Sequence, residues 1–313
     1  MTNEPNQNVL LDLSAVIVSV ASNEPQVMLL PDKSLPTGPF GTRHRTLEQG
    51  LRAWVEAQSG LRLGYVEQLY TFADKDRMAD GRRLVSIGYL ALVREPGAMT
   101  KGKHRLIASP WYNFFPWEDR RFGVPQPATD LIMKGLAAWH KSSPDKSAAK
   151  SRASRISVNF PSDPRAWNEE LVLQRYELLW EAGLIEEARR SGRIAANDRT
   201  PTIPGLAMPH DHRRILATGI ARLRAKIKYR PVVFELMPPA FTLLQLQNTV
   251  EALAGLRLHK QNFRRLVQGQ GLVEETGVYT RDVRGRPAKL FTFRREVLNE
   301  RAAAGTKLPR TGP

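Results

Sequence analysis

At 313 residues and 42% hydrophobic content, the chain is too long for one small domain and has enough apolar side chains for two cores. Cysteine is absent, which excludes disulfides, thiolate zinc sites and cysteine nucleophiles; with a polar start and no apolar run near about 20 residues, a cytoplasmic chain without a membrane span is expected. The net charge of +16 is uneven: from Pro209 onward 20 Lys and Arg face 8 Asp and Glu, a balance of +12, as expected when one domain of a longer protein meets phosphate.

Residues 10–20 (LLDLSAVIVSV) are β-rich, and 26–30 (QVMLL), after an Asn23-Glu24-Pro25 turn, read as their hairpin partner. Residues 46–59 have helical spacing: Leu47, Leu51, Trp54 and Val55 share a face, Thr46 caps the start and Gly60 ends it. Strands are expected over 63–72 and 83–93, joined by a charged turn. An aromatic stretch, 113–121, precedes a short amphipathic helix over 128–140. Residues 142–157 (SSPDKSAAKSRASRIS) lack apolar periodicity and are expected to be a mobile linker. Helical pattern returns over 167–190, with Leu171, Leu178, Leu179, Ala182 and Ile185 on one stripe, and residues 192–204 form another loop. Residues 212–228 make an amphipathic basic helix placed to join the two halves of the chain.

After Pro238-Pro239, Thr242 caps a helix through Ala254, Gly255 ends it, and 259–268 (HKQNFRRLVQ) form the next helix. Two short strands, 272–276 and 289–294, flank a basic tip, Arg284-Gly285-Arg286-Pro287. This order reads as a winged helix. The second helix of such a pair enters the major groove, so its exposed side chains must be long donors or amides. Lys260, Gln261, Arg264, Arg265 and Gln268 have those properties, with Phe263, Leu266 and Val267 as anchors. Thr242, Thr249, Arg257 and Arg281 are candidate phosphate contacts, and Arg284 and Arg286 are candidate wing contacts. The competing reading of each cation is a solvated surface charge.

Residues 38–61 lie where a Nudix hydrolase carries its signature, whose carboxylates hold divalent metal against a pyrophosphate. Counted back from Gly60-Leu61, the signature's Arg-Glu positions hold Ala53-Trp54, its paired Glu positions hold Ala57-Gln58, and its upstream Glu position holds Arg45. Glu48 and Glu56 remain, spaced around Arg52 like a surface ion-pair ladder. The helix is therefore expected to be unable to hold a catalytic metal cluster. His210 and His212 have no neighbouring partner cluster and suit the start of a helix better than a metal.

The chain resembles the Nudix-related transcriptional regulators of NAD metabolism. The resemblance rests on YVEQLYTFADKDR (65–77) with VSIGYLAL (85–92), on LAMPHDH (206–212), and on FTLLQLQ (241–247), NFRR (262–265) and GRPA (285–288). With its long central segment it most resembles an alphaproteobacterial "NAD regulator" branch. The resemblance implies an α+β chain with an N-terminal Nudix-like α/β/α sandwich that senses effector (1–121), a connecting helix (206–230) and a winged helix-turn-helix (231–300); residues 122–205 are expected to be a helical insertion containing the linker, and 301–313 a disordered tail. It also implies a homodimeric repressor that binds double-stranded operator DNA, uses no catalytic cofactor, and responds to a nucleotide effector: ADP-ribose, NAD or NMN. Candidate effector contacts are Arg43, Arg45 and Arg77 for phosphates, Tyr70 and Phe72 for stacking on adenine, and Asp76. The alternatives are a pyrophosphohydrolase of ADP-ribose or NADH with relocated metal ligands such as Glu48, Glu56 and Glu67, and an RNA-binding or scaffold protein.

Overall fold

The fold is taken from a computed structural model, in which residues 9–41, 43–73, 77–79, 81–94, 106–192, 202–280 and 287–297 are described. β1 (Leu10–Ala21) and β2 (Glu24–Leu29) form the expected hairpin. Its turn lies one step earlier than the sequence suggests, at Ser22 and Asn23, with φ of 51° and 61°. Two left-handed residues give the turn a twist that matches the flanking strands. β3 (Thr37–Pro39), α1 (Leu47–Ser59), β4 (Val66–Phe72), β5 (Met78–Ala79), β6 (Arg82–Leu92) and β7 (Ile107–Pro110) follow. Among the described residues these strands build one seven-stranded sheet in the order β4-β6-β1-β2-β7, with β3 added to β1 and β5 to β6. β1 and β6 run parallel; the other pairs are antiparallel.

Alternation along β1 sorts its side chains onto two faces. Leu13, Ala15 and Ile17 pack with Leu51 and Val55 of α1. Val16 and Val18 join a larger cluster on the other face. α1 has both expected caps: Thr46 accepts from the Gln49 N–H, and Gly60 ends it in the left-handed conformation.

The central segment is ordered helix where a linker was expected. After two short 3₁₀ turns that bury Trp111, Phe114, Phe115 and Trp117, α2 (Gln126–Lys141) and α3 (Lys146–Asn159) form a helical hairpin. α3 covers most of the expected linker. Its N-cap is Asp145, and Arg152 lays its guanidinium over the Trp139 ring at 4.2 Å while donating to the Trp139 carbonyl at 2.5 Å. Long Arg stems thus replace an apolar stripe as the packing surface. The single helix expected over 167–190 is also two: α4 (Val172–Glu181) and α5 (Glu186–Arg190), separated at Gly183 with φ 74°.

α6 (His212–Ile227) crosses the second face of the sheet. Gly219 lets it approach β1, since a Cβ there would meet Val16 Cγ1 at 2.8 Å. The C-terminal part comprises α7 (Leu243–Ala254), α8 (Lys260–Gly269), β8 (Val273–Tyr279) and β9 (Lys289–Phe293). Its core of Phe234, Phe241, Leu246, Phe263, Val267 and Phe291 is continuous with the cluster that covers the sheet and the central helices. No described helix is long and apolar enough to cross a membrane.

Candidate nucleic-acid interface and effector cavity

α7 starts with a capping box: Thr242 Oγ1 accepts from the Gln245 N–H at 3.1 Å, and Gln245 Oε1 accepts from the Thr242 N–H at 2.7 Å. The helix ends at Gly255 with φ 71°. A five-residue turn leads to α8, which buries Phe263 and Val267 and leaves Lys260, Gln261, Arg264, Arg265 and Gln268 exposed on one surface. All five expected readers therefore face solvent. Leu266 does not anchor the helix as expected: it is 57% exposed, because its position falls on the outer side of the turn that buries 263 and 267.

The expected phosphate contacts fare differently. Thr242 and Thr249 are both buried, and the Thr242 hydroxyl oxygen accepts the cap hydrogen bond. Arg257 is paired with Glu251 at 2.9 Å and donates to the Arg121 carbonyl at 3.3 Å. That places it on the seam with the rest of the molecule. Arg281, Arg284 and Arg286 lie outside the described residues. The base of the wing is held by the β8–β9 pairing, by the Lys289–Glu275 ion pair, and by Thr280, whose N–H donates to the Ala288 carbonyl.

The helix-turn-helix is fastened to the body by the end of α7. Helix C-termini leave carbonyls without intrahelical donors. Here Tyr112 Oη donates to the Ala252 carbonyl at 2.6 Å, Arg224 Nε to the Leu253 carbonyl at 2.9 Å, and the Arg120 N–H to the Gly255 carbonyl at 2.8 Å. A cation at this end also meets the negative pole of the helix. Arg224 is fully buried and paired with Glu118 at 2.7 Å; Glu118 in turn grips Arg175 of α4 at 2.6 and 3.0 Å. Burial alone would raise the Glu118 pKa, but the two guanidinium groups outweigh it and hold the carboxyl below its usual range. Arg120 and Arg175 both lie against the Trp167 ring, at 3.5 and 3.8 Å. None of this network was singled out in the sequence, where Glu118 and Arg224 are 106 residues apart.

The expected effector contacts do not converge. Phe72 is a core residue at 5% exposure, and Tyr70, 52% exposed, lies on the surface with Arg222 5.8 Å from its ring. Both were expected as aromatics to stack on adenine; a register shift in β4 between Gln68 and Thr71 interrupts the alternation that would put positions 70 and 72 on one face. Arg43 and Arg45 are exposed near α1, Asp76 lies outside the described residues, and only Arg77 lines the large cavity.

That cavity, about 870 Å³, lies between the sheet, α4, α5 and the start of α6. Asp12 and Arg77 come from the sheet side, Glu177 and Trp180 from α4, Arg190 from α5, and Asp211, His212 and Arg214 from the start of α6. Arg77 is ion-paired with Asp211 and donates to Ser86 Oγ. His212 Nδ1 accepts from the Leu35 N–H at 3.0 Å, and burial pushes its pKa down to about 4, so the ring is neutral with its proton on Nε2. Burial also raises the Asp12 pKa, against the pull of Ser86 and Arg77. His210 holds φ 51°, a strained backbone conformation for a non-glycine residue, beside this cluster.

The acidic residues offered as relocated metal ligands lie apart. Glu48 pairs with Arg52 at 2.9 Å and Glu56 with Arg62 at 3.0 Å, whereas Glu67 is held by Lys226 at 2.6 Å and Arg222 at 3.2 Å, both on α6.

Residues 233–293 match the family described as the NrtR DNA-binding winged helix domain. Over 88 residues the chain is 41% identical to the ADPR responsive transcriptional repressor NtrR of Acinetobacter baylyi, an alignment covering 28% of this chain and 35% of that protein, so about a third of the relative's length is matched. The NrtR of Shewanella oneidensis complexed with a 27mer DNA superposes with a TM-score of 0.50 at 20% identity, covering 92% of this chain and 95% of that one. A MutT/nudix family protein from Enterococcus faecalis superposes equally, TM-score 0.50 at 14% identity, over 92% and 89% of the two chains. Residues 233–293 thus match a DNA-binding winged helix domain family, and the chain as a whole shares the fold of the Shewanella oneidensis NrtR.

Proposed function

We propose that this protein is a DNA-binding transcriptional repressor of NAD metabolism genes, whose operator affinity is modulated by an NAD-related nucleotide such as ADP-ribose bound by a Nudix domain that does not turn it over. The observation that carries the reading is the exposed row Lys260, Gln261, Arg264, Arg265 and Gln268 on the second helix of an NrtR-type winged helix. Long donors and amides on that face suit base edges in the major groove. The named activity of the Acinetobacter relative, an ADPR responsive repressor, supports the same reading. NAD and NMN are the other effectors proposed.

The non-catalytic part of the proposal is supported by the residues where a Nudix signature needs carboxylates, Ala53-Trp54 and Ala57-Gln58, and by the ion pairs that occupy Glu48, Glu56 and Glu67. Arg281, Arg284 and Arg286 remain sequence-based candidates for wing contacts. We further propose a cytoplasmic homodimer reading half-sites about one helical turn apart, with sensing assigned to residues 1–121 and DNA binding to 231–300.

Fluorescence anisotropy of labelled duplexes from palindromes upstream of NAD-synthesis and salvage operons tests this, at physiological salt with and without ADP-ribose, NAD and NMN. Tight, sequence-selective binding shifted by a nucleotide is expected. Equal affinity for operator and random DNA, or magnesium-dependent release of AMP from ADP-ribose, overturns it.

A further inference from the structure

We infer that the cavity between the sheet, α4, α5 and the start of α6 is a binding site for a phosphorylated riboside, in which the ligand's anionic end takes Arg77 away from Asp211. The inference rests on the proposed nucleotide response and adds where the ligand sits and what it displaces.

Three observations carry it. At about 870 Å³ the space falls within the roughly 300–1,000 Å³ of ordinary ligand pockets. Three of its lining residues leave buried polar atoms without a partner among the described residues: Asp12 Oδ1, Arg77 Nε and Asp211 Oδ2. Such atoms are rare in folded proteins because each forfeits its hydration without return. The Arg77 side chain is 9% exposed, and its Nε–H has no acceptor among the described residues. Third, the lining is acid-rich. Among the described lining residues Asp12, Asp32, Glu177, Glu187 and Asp211 outnumber Arg77, Arg190 and Arg214, with His210 beside them and His212 neutral. A bare anion would meet this excess of carboxylates unfavourably. A ligand with one end for Arg77 and a hydroxyl-rich body satisfies both halves, since ribose hydroxyls donate to carboxylates.

The exchange has a route to DNA. Asp211 immediately precedes α6 and its side chain makes no capping hydrogen bond there. Arg213, two residues on, is pinned to the Phe114 carbonyl and to Glu187 at 3.2 Å. At the other end of α6, Arg224 holds the Leu253 carbonyl at the end of α7. Freeing Asp211 therefore acts on the helix that spans from the cavity to the helix-turn-helix. Here the coupling is reciprocal: the ligand changes DNA affinity only to the extent that DNA changes ligand affinity.

The test uses the full chain, with ADP-ribose, NMN, ribose 5-phosphate and inorganic phosphate titrated by calorimetry, and operator anisotropy measured on the same samples. At least one riboside is expected to bind the wild type, at least tenfold tighter than inorganic phosphate. Arg77→Gln should weaken it about tenfold or more, as loss of a charge-assisted hydrogen bond does. Asp211→Asn should do the opposite and tighten it several-fold, because the competitor for Arg77 is gone. A merely structural pair would give losses from both substitutions, and that result overturns the inference. If Arg77→Gln does not fold, as thermal melting would reveal, the sign of the Asp211→Asn effect decides. A wild type that responds to nucleotide while both variants bind as it does places the effector elsewhere and leaves the repressor reading intact. A wild type that binds no riboside overturns the inference, and operator binding in the same samples then decides separately whether the DNA-binding reading stands.

Discussion

Replacing Glu118 with Gln removes one charge from the centre of the molecule without changing side-chain shape. Glu118 is 1% exposed and its two oxygens receive guanidinium donors from Arg175 at 2.6 and 3.0 Å and from Arg224 at 2.7 Å. Glutamine keeps one acceptor and turns two donor hydrogens toward cations that remain buried. Breaking a buried pair from one side costs about 3–5 kcal/mol. For a domain of this order of size that corresponds to a melting temperature lower by roughly 10 °C. The pH dependence carries a sign. Because the folded carboxyl titrates below its usual value of 4.5, the contribution of Glu118 is fully present above that value and fades as pH falls through the folded pKa. Wild type and variant should therefore differ most at neutral pH and converge in acid. Urea and thermal unfolding by circular dichroism at pH 7 and across the acid range measure both effects. A loss below about 1 kcal/mol at pH 7 would refute the reasoning, since it would mean that desolvation of the three ions cancels their attraction. The triple replacement of Glu118, Arg175 and Arg224 by Leu, Met and Met removes the buried charges but leaves the Leu253 carbonyl without its donor, so it should recover only part of the stability, and its operator affinity should no longer respond to effector.

Arg264→Ala should cost about 1–3 kcal/mol in discrimination between operator and random duplex, with less change in the salt slope of binding, both read by anisotropy. Gly255→Ala forces a Cβ onto a left-handed residue and to 2.4 Å from the Glu118 carbonyl oxygen; unfolding should show a loss of at least about 1 kcal/mol, and operator affinity should fall with it. His212 titrates near 4 when folded against 6.5 as a free side chain, so the neutral ring favours the fold above pH 6.5 and its contribution is lost as pH drops toward 4. His212→Asn should remove up to about 3 kcal/mol of the pH dependence of stability in that window, and an unchanged dependence would contradict the assigned neutral ring. Thr242→Ala should lower stability by about 1 kcal/mol through the lost cap.

Much of the local structure was legible because its signals are local. Thr46 with Gly60, and Thr242 with Gly255, name both ends of α1 and α7, since a cap needs only neighbouring residues. The exposed faces of α8 followed from spacing. Where the reading failed, the stabilising partner was distant. Residues 146–159 carry no apolar stripe, so periodicity suggested a linker, yet Arg152 and Arg155 pack by stem and cation over Trp139. Helix propensity in KSAAKSRA is the local signal that absence of a stripe conceals. Gly183, which splits α4 from α5, was visible as a helix terminator within a strong apolar pattern. Leu266, expected inside, is outside because the core side of this ten-residue helix is filled by two anchors one turn apart, Phe263 and Val267, and position 266 lies off that line.

Residue order alone determined the helix-turn-helix, the row of donors on its second helix and the concentration of positive charge around it, because spacing along a helix fixes which side chains share a face. Tertiary structure alone decided which charges are free. Glu118, Arg175 and Arg224 come from three segments and meet only when the central helices fold onto α6. Arg77, Asp211 and Asp12 become a site for the same reason, and four of the six expected effector residues fall outside it among those described. Desolvation and pairing depend on distances through space, and sequence separation carries no information about them.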